Sequence, residues 1–232
     1  MAEGAIFLNS GPLLSGEKLE TLEETPEWSN DEVIGAAFER VRETFEKHAT
    51  LLAGNPTAME TRFFMLNPTL HALGYTYSVH EPIDIGGDKT ARVDYVTFPN
   101  ATTFYDALPL RRTPGFFHQS ISVIRAMEWG HTFEAPELAE DEIDDGSNVS
   151  PVDELNFLLR TTGTEYGILS NGCDWRLYHR ATAPLLDTFF QADMIAAMKS
   201  EYEDFKRFFL VFNKQSFLKD DSGTSFIDRL LQ

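Results

Sequence analysis

Apolar residues recur with two different periods along this chain, and the change of period marks out its elements. From Ser29-Asn30-Asp31-Glu32, which reads as a helix start, Ile34, Phe38, Val41, Phe45 and Leu52 form a stripe at helical spacing. Gly54-Asn55-Pro56 breaks it. A second helix is expected from about Thr57, with Met59, Phe63, Leu66, Leu70 and Leu73 on one face and Gly74 at its C-terminal turn. Strands are then expected at Tyr75–His80, at Ile83–Ile85 before a turn at Gly86-Gly87-Asp88, and at Arg92–Phe98. Pro99 to Pro114 reads as irregular. Phe116–Trp129 begins irregular or helical and becomes a strand by Ile121.

The second half is punctuated more sharply. Ser150-Pro151-Val152-Asp153 is an N-cap followed by proline at the first helical position, so a helix should run to about Thr161 and stop at Gly163. Tyr166–Ser170 and Asp174–Tyr178 read as paired strands around an Asn171-Gly172 turn. A short strand is expected at Asp187–Gln191, then a long aromatic helix over Asp193–Phe212. Residues 1–30 show no clear period and read as a flexible arm with a short helix at Gly16–Glu24. Residues 31–219 form the main domain, and 220–232 begin a further helix that suggests a longer protein. Helices, strands, helix, hairpin and helix in that order predict an α/β domain with a mixed sheet flanked by helices.

Two of the expected strands set charges into apolar, β-branched runs and stand out for their chemistry. Arg92-Val93-Asp94-Tyr95-Val96-Thr97-Phe98 holds Asp94, and Ile121-Ser122-Val123-Ile124-Arg125-Ala126-Met127-Glu128-Trp129-Gly130 holds Arg125. A charge set into a buried strand is costly unless it is paired or bound to a metal, so each needs a partner.

Composition narrows the chemistry. The chain has 232 residues, of which 42% are hydrophobic, enough for one good core. There is no run of 18 apolar residues and no secretory leader pattern, so neither a membrane partner nor export is expected, and a cytoplasmic location follows by default. The lone Cys173 excludes an internal disulfide and a cysteine-based zinc site, and reads as a small residue in a turn. The six histidines are spread without ligand spacing. Net charge is −18, so affinity for DNA by the chain alone is expected to be weak. The acidic excess has three readings: solubility charge, adaptation to a salty cytoplasm, or a surface for a basic partner. The densest run, Glu134 to Asp145, lacks the spacing of a calcium loop and reads as a solvated segment.

Five segments carry a resemblance. Thr162-Gly163-Thr164-Glu165-Tyr166-Gly167-Ile168-Leu169-Ser170-Asn171-Gly172-Cys173-Asp174-Trp175-Arg176-Leu177-Tyr178 resembles the pattern T-G-x-x-W/Y-G-I-L-T-N-G-x-x-W-R-L-Y. That pattern belongs to the N-terminal nuclease-type domain of single-chain (type IIG) restriction–modification enzymes and related phage-defence proteins. Glu60-Thr61-Arg62 through Asn67-Pro68 to Leu73-Gly74-Tyr75 is similar to that family's first helix. Val93–Phe98 is similar to its P-D-Y-x-L-F strand, and Ala126-Met127-Glu128-Trp129-Gly130 falls where it has E-A-K-x-W-G. Asp204-Phe205 through Gln215-Ser216-Phe217 resembles its closing helix. The resemblance covers roughly residues 31 to 232.

What it implies is a restriction-endonuclease-like PD-(D/E)xK core. In such a site an Asp and a Glu on neighbouring strands hold Mg²⁺ through oxygen ligands, and a Lys two residues past the Glu orients the attacking water. Carried over residue by residue, Asp94 takes the metal-binding Asp position and Glu60 the helical Glu. Arg125 stands at the second carboxylate, Met127 at the lysine, and Glu154 at a glutamine of the following helix. A guanidinium cannot ligate a cation, and a thioether is a poor Mg²⁺ ligand.

Three functions follow. The first is an inactive nuclease fold kept as a structural or docking module for a DNA methyltransferase domain or subunit, with Arg125 as counter-charge to Asp94. No cofactor is expected in that case. The second is an active Mg²⁺-dependent endonuclease with Glu128 as displaced carboxylate and Arg92 or Lys89 in place of the lysine. Glu128 would then need a bulge to reach the face of Arg125. The third is an acidic interaction protein or DNA mimic. Methyltransferase motifs are absent, so a methylating half would lie beyond Gln232 or on another chain.

Overall fold

The computed structural model describes residues 5–86, 89–133 and 150–232. The expected turn at Gly87-Asp88 and the acidic run from Glu134 lie outside the described residues. In chain order the helices are α1 (Gly16–Glu20), α2 (Asp31–Leu52), α3 (Ala58–Thr61), α4 (Asn67–Ala72), α5 (Ala101–Ala107), α6 (Pro114–Phe117), α7 (Pro151–Thr162), α8 (Met194–Lys199), α9 (Tyr202–Phe212) and α10 (Phe226–Leu230). The strands are β1 (Phe7–Ser10), β2 (Thr76–Gly86), β3 (Lys89–Phe98), β4 (Ser122–Ala126), β5 (Tyr166–Ser170), β6 (Asp174–His179) and β7 (Phe189–Asp193).

The strands form one seven-stranded mixed sheet in the order β1-β7-β6-β5-β4-β3-β2. All neighbours are antiparallel except β4 and β5, which run parallel with α7 in the connection between them. A parallel pair needs such a crossover. The sheet therefore carries helices on both faces and is an α/β layer structure.

Period-2 alternation sends successive side chains of the central strands into two separate cores. Ile124 and Ala126 of β4 join Tyr95, Ile168, Trp175 and Leu177 under α2, α4 and α9, where Phe205, Phe208 and Phe212 are fully buried. Val123 of β4 joins Val96, Phe98 and Leu169 under α7, whose Leu155, Leu158 and Leu159 face them. Gly167 of β5 lets α7 come this close: a Cβ there would lie 3.0 Å from the Leu155 side chain.

α7 begins and ends where the sequence places it, within a residue. The Ser150 hydroxyl accepts from Asp153 N–H, and Gly163 sits at φ +74°. The β5–β6 hairpin turns at Gly172, φ +88°, with the Asn171 carboxamide oxygen accepting from Cys173 and Asp174 N–H.

Several stretches differ from expectation, among them the two strands expected at Tyr75–His80 and Ile83–Ile85, which are one strand, β2, and the helix expected from Thr57, which is α3 and α4 joined by a π turn. The N-terminal arm is packed from its first described residues: β1 pairs with β7, and Leu13, Leu14 and Leu22 are buried. Its short helix is there, as α1 and a 3-10 turn at Leu22–Glu24. The stretch between Pro99 and Pro114 contains α5, started by the Asn100 carboxamide oxygen accepting from Thr103 N–H. The aromatic helix is two helices, α8 and α9, parted at Ser200, whose ψ of −131° is not helical. The last residues hold a short helix, α10, that packs on the domain: Phe226, Ile227 and Leu230 are buried, and Leu231 bridges to Leu14. Among the described residues no helix is long and apolar enough to cross a membrane.

Candidate functional site

The two charged strands lie side by side, β3 pairing with β4 through Tyr95↔Ile124 and Val96↔Val123. One turn into α7, Glu154 hangs over them. The outcome is a chain of carboxylates and guanidiniums. Arg125 Nη1 donates to Asp94 Oδ2 at 2.7 Å, and its Nε donates to Glu154 Oε2 at 2.6 Å. Arg62 Nη2 stands 2.9 Å from Asp94 Oδ1. The Ala126 N–H adds a fourth contact, 2.9 Å from Asp94 Oδ2. Asp94 is 7% exposed, Arg125 27% and Glu154 40% as side chains. So the buried carboxylate is the one that is fully surrounded, as desolvation requires. Burial works against the charge of Arg125, but Asp94 and Glu154 outweigh it and raise the guanidinium's pKa.

Arg62 was not expected here. It sits at the head of a π-helical turn, Arg62–Leu66, inserted between α3 and α4. The only sign of it in the sequence is its place in the Glu60-Thr61-Arg62 segment. Its second nitrogen, Nη1, lies 3.4 Å from His80 Nε2, on a residue of β2 held at φ +56°. Tyr95, next to Asp94, donates its hydroxyl to Asn67 Oδ1 at 2.8 Å, and burial pushes that hydroxyl's pKa up.

The other expected site residues are elsewhere. Glu60 closes a capping box: its Oε2 accepts from Thr57 N–H and Oγ1, each at 2.9 Å. These bonds lower its pKa. Glu60 is thus a helix cap and not a member of the Asp94 cluster. Met127 packs against the apolar cluster beneath α7. Glu128 is exposed, two residues past the end of β4, and does not line the cleft beside Asp94. No bulge carries it back: β4 holds a regular register with both neighbours. Outside this cluster, Arg111 pairs at 2.8 Å with Glu81, whose side chain is 4% exposed.

The cleft has a volume of about 530 Å³ and is lined by Ala91, Arg92, Asp94, Arg125, Glu154, Phe157 and Leu158. Both oxygens of Asp94 accept from guanidinium or backbone N–H, and the Glu154 oxygen facing the cluster accepts from Arg125. A dication there would displace these donors and stand against two guanidiniums. The residues do not fit the ion. Among the described residues no group of three or more His, Cys, Asp or Glu is arranged to hold a metal.

Comparison with known proteins gives no match to this chain among family models, curated proteins or solved structures.

Proposed function

We propose that this chain is a restriction–modification-type nuclease fold that does not hydrolyse DNA, and that it serves as a structural or docking module for a DNA methyltransferase or a defence complex. The observation that carries the reading is the bridge of Arg125 between Asp94 and Glu154. In a PD-(D/E)xK core Asp94 would share a divalent ion with a carboxylate at the position of Arg125. Here a guanidinium stands at that position and spans Asp94 and Glu154, without the charge or ligand exchange that a Lewis acid brings to phosphodiester hydrolysis.

The sheet order supports the same reading. A strand bearing Asp94 lies beside a strand bearing Arg125, and the crossover helix that follows supplies Glu154. The position of Glu128 gives the active-endonuclease alternative no support. The acidic-partner alternative rests on net charge alone. Supercoiled plasmid, incubated with the protein and Mg²⁺ or Mn²⁺, tests the proposal. No nicking above that of Asp94→Ala is expected; nicking that Asp94→Ala abolishes would overturn it.

A further inference from the structure

The cleft beside the Asp94 cluster has chemistry that the salt-bridge network does not use. The chain as a whole carries a net charge of −18. Around Asp94, among the described residues, the balance is different. Arg62, Arg92 and Arg125 line the cleft or stand directly behind it, against Asp94 and Glu154, leaving one positive charge over. Arg62 and Arg125 are spent on the carboxylates. Arg92 is not: it is exposed, and it has no ion pair among the described residues. It follows from strand alternation that Arg92 and Asp94 project from the same side of β3, so the spare guanidinium is next to the neutralised floor.

The opposite wall is apolar and aromatic. Phe157 lies three residues past Glu154 on α7 and Leu158 four, so all three share one helix face. Leu158 is buried, whereas Phe157 remains 42% exposed within the cleft lining. An exposed phenylalanine opposite an unpaired arginine gives one surface for a planar ring and one for an anion. The cleft volume of about 530 Å³ falls in the range of about 300–1,000 Å³ typical of small-molecule sites.

We infer that this cleft is a metal-free binding site for a small planar-ring anion of the nucleoside monophosphate class. Phe157 stacks on the ring and Arg92 holds the phosphate. The Asp94–Arg125–Glu154 network supplies a floor that does not repel the anion, because its carboxylates are already neutralised. The inference rests on the proposed reading in that last respect, since a vacant carboxylate pair would repel phosphate unless a cation intervened.

Adenosine 5′-monophosphate, titrated calorimetrically into the full chain in EDTA, is the test. Adenosine, inorganic phosphate and a single-stranded oligodeoxynucleotide are titrated in parallel. The nucleotide is expected to bind, and adenosine and phosphate each to bind more weakly. Phe157→Ala and Arg92→Gln alter exposed side chains, so both variants should stay folded. Each is expected to raise Kd about tenfold.

The site is overturned if the nucleotide binds neither in EDTA nor with added Mg²⁺, or if Phe157→Ala leaves its Kd unchanged. It is also overturned if the oligonucleotide binds far more tightly with a steep salt dependence, which would make the occupant a nucleic acid. Nucleotide binding that appears only when Mg²⁺ is added would overturn the filled cation seat, and leave the ring-and-phosphate walls standing.

Discussion

Replacing Arg125 with methionine removes the guanidinium and keeps a side chain of similar length. The structure sets what this should cost. Asp94 is 7% exposed and loses a charge-assisted bond at 2.7 Å, but it keeps Arg62 at 2.9 Å and the Ala126 N–H. A hydrogen bond to a charged group contributes about 1.5–3 kcal/mol. The bond to Glu154 adds at most about 1 kcal/mol, because that carboxylate is 40% exposed and well solvated. Stranding a fully buried charge costs about 3–5 kcal/mol, and the two donors that remain put this case at the low end, about 3 kcal/mol. For a chain of this size that corresponds to a fall in Tm of about 6–12 °C. Urea denaturation of wild type, Arg125→Met, Asp94→Asn and the double variant gives the coupling between the two residues, expected near 2 kcal/mol. A coupling close to zero, or a loss below about 1 kcal/mol for Arg125→Met, would refute the claim that Asp94 depends on this guanidinium.

Two further outcomes follow from the local geometry. Gly172→Ala is expected to destabilise by about 2–4 kcal/mol, since φ is +88° and the new Cβ would sit 2.6 Å from the Trp129 ring; thermal melting reads it. The Glu60 carboxylate has a folded pKa below its ordinary value of 4.5, because Thr57 donates to it from backbone and hydroxyl. The stabilisation tied to its ionisation is therefore full above pH 4.5 and lost as pH falls through the depressed pKa; wild type and Glu60→Gln should diverge at neutral pH and converge in acid when their melting is compared.

The parts of the fold that could be read in the sequence are those with local signals. Ser150-Pro151 and Gly163 bound α7, and Asn171-Gly172 fixes the β5–β6 turn, because cap and turn residues act through bonds only a few positions away. The site was partly legible for a different reason. A charge in an apolar strand must find a partner, and Arg125 and Asp94 were each other's nearest opposite charge on neighbouring strands.

What stayed hidden depends on distant contacts. β1 has no alternation of its own and exists because β7 offers an edge to pair with. α8 and α9 share a continuous helical period, and only packing shows that the helix stops at Ser200. Nothing in a four-residue window reveals that Arg62 reaches Asp94 from a π turn; the return of Glu60 to Thr57, by contrast, is a local signal, the T-x-x-E spacing of a capping box.

The central claim of the proposed reading is that a guanidinium occupies the place where a PD-(D/E)xK nuclease would hold its cation. The most direct measurement is an anomalous difference map from crystals of the wild-type protein soaked in Mn²⁺. The account predicts no manganese peak within coordinating distance of Asp94, and Arg125 lying between Asp94 and Glu154. A peak ligated by both carboxylates, with Arg125 swung away, would contradict it.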